Sequence, residues 1–385
     1  MSSSEALYGR ATNVIPGGNT RSTVFVAPHP PYAAQGAGAT ITDSDGHQVI
    51  DANNNYTSLI HGHAEPSVLA SAVDAAGKGT AFGLPTRYEV DLAEVLYERT
   101  GLAQWRFCNS GTEAVMMLIR AARAYTGRDL VVRFDGSYHG TSDTVVDARR
   151  GVPDGVRDSV LVLPQGDQAA VTETMARYGD RVATILIDLM PNRAGLTPAD
   201  PAYVSLLREL THRHGALLAI DEVITFRLGT GGLSGLYGVD PDLMSLGKVI
   251  GGGFPVGAVG GPRQVLSTFS PLDSGSVSWG GTFSANPVSM AAGLTTLELF
   301  DAKAVAELNG TGDRLRGQLS QAGVRASGRG SLVRLFPDDV RTTWWELYRR
   351  GVLVGSNGLI ALSTVMSDEH IAAIGKTVTE ILATK

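Results

Sequence analysis

Two apolar runs constrain this chain most: Ala183-Thr184-Ile185-Leu186-Ile187-Asp188 and Ala216-Leu217-Leu218-Ala219-Ile220-Asp221. Neither alternates in polarity, as a strand with one wet face must. Each therefore predicts a strand buried on both faces, as in a parallel sheet covered by helices. Around them, short strands alternate with helical spacing. The pattern predicts helices over Pro66 to Ala76, Tyr88 to Thr100, 111–126 and 200–214. It predicts strands over 105–108, 129–134, 158–163, 182–188, 216–221 and 255–260. Such alternation points to an α/β fold with a mostly parallel, doubly wound sheet. Beyond about 288 the pattern changes to helices over 288–300 and 301–322 with short strands near 331–336 and 358–363, which predicts a smaller α+β domain. Upstream, 39–52 reads as a hairpin around Asp45-Gly46, and 1–35 as a short helix followed by irregular chain. A chain of 385 residues exceeds what one core usually serves. The expected division is an N-terminal segment over 1–45 packing with the small domain, a large domain over 46–298 and a small C-terminal domain over 299–385.

Composition narrows the function classes. Apolar residues make up 43% and charged residues 18%, which excludes a disordered chain. A net charge of −6 argues against a general nucleic-acid or acidic-membrane binder. The single cysteine, Cys108, excludes an intrachain disulfide framework and suits a reducing cytoplasm. The start MSSSEALYGRAT lacks the basic-then-apolar order of a signal peptide, and no apolar run reaches membrane-helix length, so a cytoplasmic location is expected. Lysine is scarce: of 32 basic residues only Lys78, Lys248, Lys303, Lys376 and Lys385 are lysines.

Lys248 stands between an apolar strand end (Asp242 to Leu246) and flexible glycines. Desolvation there would lower its pKa, and a lysine attacks a carbonyl only when its amine is neutral. A lone loop lysine is more often surface. A phosphate-binding P-loop fails on spacing, because Val249 follows the lysine and position 242 is aspartate. Asp221, 27 residues earlier, ends an apolar strand where ligands bind in open α/β sheets, although a lone aspartate there is more often a cap. Asn109-Ser110-Gly111-Thr112-Glu113 combines hydroxyls with a helix start, which suits either a phosphate or plain N-capping. Gly136-Ser137-Tyr138-His139-Gly140 offers an aromatic for stacking on a strand-end loop. Trp279 to Pro287 is a glycine turn with a hydroxyl before a helix. His61 and His63 lack a matching Cys/His pair, so no metal is expected.

Ser110-Gly111-Thr112-Glu113, Tyr138-His139-Gly140, Asp221-Glu222-Val223, Lys248 and Gly281-Thr282-Phe283-Ser284-Ala285-Asn286-Pro287 stand in the order seen in class III aminotransferases. The likeness covers roughly residues 10–365. Five motifs in order are far more specific than one. The chain resembles the branch holding glutamate-1-semialdehyde aminomutase and the β-amino-acid aminotransferases. Pro16-Gly17-Gly18-Asn19-Thr20-Arg21-Ser22 and the compact Asp221 to Leu228 stretch look more like the latter.

The resemblance implies a fold-type I enzyme using pyridoxal 5'-phosphate. Lys248 would hold the cofactor as a Schiff base and carry protons, and Asp221 would pair with the pyridinium nitrogen. Val223 would pack on the ring face opposite Tyr138, with His139 nearby. Gly111 and Thr112 would hold the phosphate, with Ser110 close by. Thr282 would reach the phosphate of a neighbouring subunit, implying a homodimer with shared active sites. Arg21 would clamp a substrate carboxylate, and Tyr56 and Asn357 would also face the substrate. The partners would be a small amino donor and a keto acceptor, with no nucleic acid and no membrane.

Departures from the family pattern limit the substrate assignment. Asp188 stands where relatives usually carry Glu before Pro, and Leu189 replaces that proline. Asn192-Arg193 occupies the stretch where the aminomutase branch has an asparagine near the cofactor hydroxyl, shifted by one. Asn357 stands where related β-amino-acid enzymes often carry arginine, leaving Arg21 as the clear anionic anchor. The expected activity is transamination of a carboxylate-bearing β- or ω-amino acid. An aminomutase or racemase would use the same residues on one substrate. A non-catalytic cofactor-binding protein would typically have lost Lys248.

Overall fold

The computed structural model describes residues 2–148 and 150–383. The chain separates into two compact units, one formed by Met1–Pro66 with Ala306–Lys385 and one by Ser67–Val305. We call them the terminal and the central unit. These limits differ from the expected 45 and 298. One reason lies within the terminal unit: strand Gln48–Asp51 pairs in parallel with Val352–Leu353, tying the stretch just after residue 45 to the C-terminal part of the chain.

The central unit is built on a seven-stranded sheet. In spatial order its strands are Gln104–Cys108, Gly257–Gly261, Leu243–Gly247, Leu217–Asp221, Val182–Asp188, Leu130–Phe134 and Val160–Leu163. Gly257–Gly261 runs antiparallel to both neighbours, and every other adjacent pair is parallel. All residues of Val182–Asp188 and Leu217–Asp221 are buried, as their unbroken apolar pattern requires. Helix Gly111–Thr126 packs across Leu243–Gly247 and Gly257–Gly261. It buries Ala114, Val115, Leu118, Ala121 and Ala122, the i, i+3/4, i+7 stripe of a core-facing helix, and ends at left-handed Gly127. Burying a side chain such as Leu118 contributes about 1.5–3 kcal/mol.

In the terminal unit, Thr40–Asp43 and Gln48–Asp51 form the expected hairpin, joined on the far side of the first strand by Ala33–Ala37. A second antiparallel sheet has the order Ala326–Arg329, Leu332–Leu335, Leu359–Ala361. Helices Val340–Arg349 and Asp368–Leu382 were not anticipated, although Thr343, Trp344, Leu347 and Tyr348 give the first a legible buried stripe. No helix among the described residues is long and apolar enough to cross a membrane.

Candidate active site

The central unit gathers its chemistry at the C-terminal ends of the parallel strands, where β-to-α turns leave room for ligands. Strand register sets Asp188 beside Asp221, and Asp221 beside Ser245. Asp221 is buried, and its carboxylate is held from several sides. Its Oδ1 accepts from the Val223 N–H and the Ser245 hydroxyl, both at 3.0 Å. Its Oδ2 faces His139 Nδ1 at 2.7 Å. A carboxylate offers about four lone-pair sites, so roughly one acceptor position on Oδ2 stays open for a further donor.

Lys248 follows Leu243–Gly247 directly and is partly buried. Its φ of +52° lies in the left-handed region, which costs a non-glycine residue about 1–2 kcal/mol and concentrates at functional sites. Burial lowers the pKa of its amine, while Asp221 and Asp188 oppose the shift. The amine is thus held below the ordinary lysine value with two carboxyls nearby.

Asp188 is the site residue that sequence reasoning did not assign. Burial first, then the neighbouring Asp221, pushes its carboxyl up to about 7. The signal was present, because Asp188 ends its apolar strand just as Asp221 does. Between the ordinary value of 3.8 and about 7, the folded chain keeps a proton that the unfolded chain has released. This group therefore makes stability fall as pH rises through that window. We expect Asp188→Asn to remove that slope in the cofactor-free protein, so that in urea unfolding the variant gains on the parent as pH rises from about 4 to about 7. Parallel stability curves for the two proteins would refute the assignment.

Glu222, next to Asp221, is also fully buried but serves structure. It accepts from the Thr225 hydroxyl and from the N–H groups of Leu233 and Ser234, at 3.1 and 2.6 Å for the two amides.

The phosphate candidates lie at the start of helix Gly111–Thr126. Ser110 is the N-cap, its oxygen accepting from Glu113 N–H at 3.2 Å, so the capping reading holds. A capping hydroxyl still has its own proton to donate. The first N–H groups, at Gly111 and Thr112, have no acceptor within the helix and point toward the positive end of its dipole. A side chain at Gly111 would come within 3.2 Å of Val223, and one at Gly140 (φ +104°) within 2.5 Å of the Thr112 hydroxyl. Gly111 therefore lets the Val223 side chain pack close, and Gly140 lets the chain lie against Thr112 at the helix start. Tyr138 is exposed, with the Arg193 guanidinium 4.1 Å from its ring centre, so one face of the ring remains for another partner.

Thr282 lies in a separate cleft of about 250 Å³ of this unit, lined also by Phe82, Leu84 and Phe283. The cap of the helix that follows is Asn286, not a hydroxyl.

The terminal unit carries the three expected substrate residues. Arg21 Nη1 donates to Asn55 Oδ1 at 2.8 Å. The Tyr56 hydroxyl bonds the Thr23 carbonyl and lies 2.9 Å from Ser356 Oγ. Asn357 belongs to the same turn, where its Oδ1 accepts from Leu359 N–H at 3.3 Å. Four consecutive residues, Asn54 to Thr57, hold φ between +49° and +78°. Asp51 accepts from Asn53 and Asn54, and Asn54 Nδ2 reaches the Ala361 carbonyl at 2.7 Å, which over-determines this strained turn. His61 and His63 bond Thr364 and Asp51 respectively.

A desolvated lysine, a clamped aspartate at a strand end and a helix start bordered by glycines are features expected of a fold-type I pyridoxal-phosphate enzyme. The chain belongs to the aminotransferase class-III family, whose model matches residues 26–382, and it is a pyridoxal-phosphate-dependent enzyme of that class. The glutamate-1-semialdehyde 2,1-aminomutase of Methanothermobacter thermautotrophicus is 40% identical over 328 residues, covering 82% of this chain and 78% of that one. An ω-transaminase from Sphaerobacter thermophilus superposes with a TM-score of 0.94 at 40% identity, covering 99% of this chain and 97% of that one. A β-phenylalanine aminotransferase from Variovorax paradoxus superposes with a TM-score of 0.91 at 32% identity, covering 98% and 93%.

Proposed function

We propose that this protein transfers an amino group between a carboxylate-bearing β- or ω-amino acid and a keto acceptor. Pyridoxal phosphate, when bound, supplies the electron sink that stabilises charge at the carbon losing a proton. Lys248 would hold the cofactor and carry that proton at its Nζ, and burial lowers the pKa of its amine. Asp221 would pair with the ring nitrogen of the bound cofactor. His139 and Ser245 keep the carboxylate aimed. Val223 and Tyr138 would pack on the ring, and Gly111, Thr112 and Ser110 would bind the phosphate. Arg21 and Tyr56 bind the substrate in this reading, and Asn357 replaces a charged contact with a neutral one.

We also propose a cytoplasmic homodimer in which Thr282 serves the partner's phosphate. Exposed Phe82, Leu84 and Phe283 around Thr282 support it, because a clustered apolar patch marks an interface. A buried thiol at Cys108, pushed up to about 12 by desolvation, suits a reducing compartment.

The observation that carries transamination is the likeness to an ω-transaminase along 99% of the chain. The 40% identity to an aminomutase supports a second reading, rearrangement of a single substrate. We expect that purified holoenzyme given a β- or ω-amino acid releases a keto product only when a keto acceptor is present. Isomerisation of one substrate with no acceptor would overturn transamination in favour of the second reading.

A further inference from the structure

Arg334 sits inside strand Leu332–Leu335 of the terminal unit, between buried Val333 and Leu335. Its Nε and Nη1 are buried and donate no hydrogen bond. Arginine stays charged in proteins and presents five donors, so buried donors left without acceptors are costly. Two other arginines with unpartnered nitrogens, Arg133 and Arg316, each lie within ion-pair distance of an aspartate, Asp147 and Asp313. Arg334 has no such neighbour among the described residues: burial lowers its pKa, and only the Tyr56 phenol acts against that shift. The Phe336 ring, 5.9 Å away, supplies a surface to lie on but no acceptor.

The strand that carries Arg334 also holds the turn at 355–358. Arg334 pairs across the sheet with Leu359, and Leu335 N–H donates to the Gly358 carbonyl at 3.0 Å. The turn Gly355-Ser356-Asn357-Gly358 is thereby docked on the same strand. That turn carries the Ser356 hydroxyl bonded to Tyr56, and the Asn357 amide. The Tyr56 and Ser356 hydroxyls both donate to the Thr23 carbonyl, so the Arg334 guanidinium, with no carboxylate beside it, is the donor left unspent on the strand that carries this turn.

We propose that Arg334 is a carboxylate-binding residue of this protein and supplies the guanidinium that position 357 lacks. The ligand class is a carboxylate-bearing amino or keto acid, so the inference rests on the proposed function. Arg21, exposed and already donating to Asn55, is the weaker anchor of the two.

The test is calorimetric titration of holoenzyme with glutarate, which has two carboxylates and no amine, alongside its neutral diamide. Arg334→Met is expected to weaken glutarate binding about ten- to hundredfold, the range for a lost charge-assisted bond, and to leave the diamide unaffected. Arg334→Lys should recover only part, because an ammonium lacks the two-pronged donor geometry. Arg21→Ala should cost less than Arg334→Met. Parental glutarate affinity in Arg334→Met, or equal losses for glutarate and the diamide, overturns the proposal. Should the Met variant not fold, parental holoenzyme treated with phenylglyoxal with and without glutarate decides. Protection of Arg334 supports the proposal, and modification unchanged by glutarate overturns it. Neither measurement needs turnover, so failure here is distinct from failure of the transaminase reading.

Discussion

Lys248→Ala is expected to lower kcat by about 10⁴-fold or more and to abolish the near-visible absorbance of covalently held cofactor. The size follows from losing two functions at one atom, an activated nucleophile and a general base. The structure sharpens this expectation. Burial depresses the pKa of Lys248 while Asp221 and Asp188 oppose it, the combination of desolvation and specific charge partners that clusters at functional sites. Its left-handed backbone is a further sign of a functional constraint. Alanine at this position removes the amine and leaves Asp221, Ser245 and the helix start at Gly111 in place. Circular dichroism should therefore report an intact fold while absorbance and turnover disappear. A coloured, active Lys248→Ala protein would remove the lysine from the mechanism.

Asp221→Asn should be the second-largest effect, a fall in kcat of about 10²- to 10⁴-fold. That range corresponds to the about 3–5 kcal/mol lost when one partner of a buried charge pair is removed. The substitution is chosen for what it preserves. Asparagine can keep an oxygen toward the Val223 N–H and the Ser245 hydroxyl, so the turn after Leu217–Asp221 stays in place. Its amide nitrogen would face His139 Nδ1, now 2.7 Å from Oδ2, and the imidazole must then present an unprotonated nitrogen. Loss of rate with an unchanged fold would read the missing negative charge. Single-turnover kinetics with an amino donor measures it, and a variant within threefold of the parent would show that Asp221 only shapes the turn.

The origin of these two residues' roles differs. Asp221 was legible because an apolar run ending in a carboxylate marks the ligand edge of a parallel sheet. Lys248 was legible because lysine is rare here and glycines surround it. Asp188 carries the same signal as Asp221, although along the sequence it stands out only as a departure from the family pattern. Its meaning came from strand register, which sets it against Asp221 and raises its pKa. The hydroxyl of Ser110 is open in the sequence to capping or phosphate binding; its oxygen caps the helix, and its proton is still free to donate. Arg334 gave no signal at all. One arginine inside a short apolar strand is ordinary until its neighbours are known.

Taken by itself, the sequence determined the α/β class, the hairpin, most element positions and the ordered set of motifs around Lys248. These depend on local periodicity, turn chemistry and spacing, which are written along the chain. Only the tertiary structure decided which charges meet: the pairing of His139 with Asp221, the proximity of Asp188, and a guanidinium at Arg334 with no carboxylate beside it. Burial and partnership are set by residues distant in sequence, such as His139 and Asp221, 82 positions apart. Electrostatics therefore becomes readable only when strands from remote parts of the chain lie side by side.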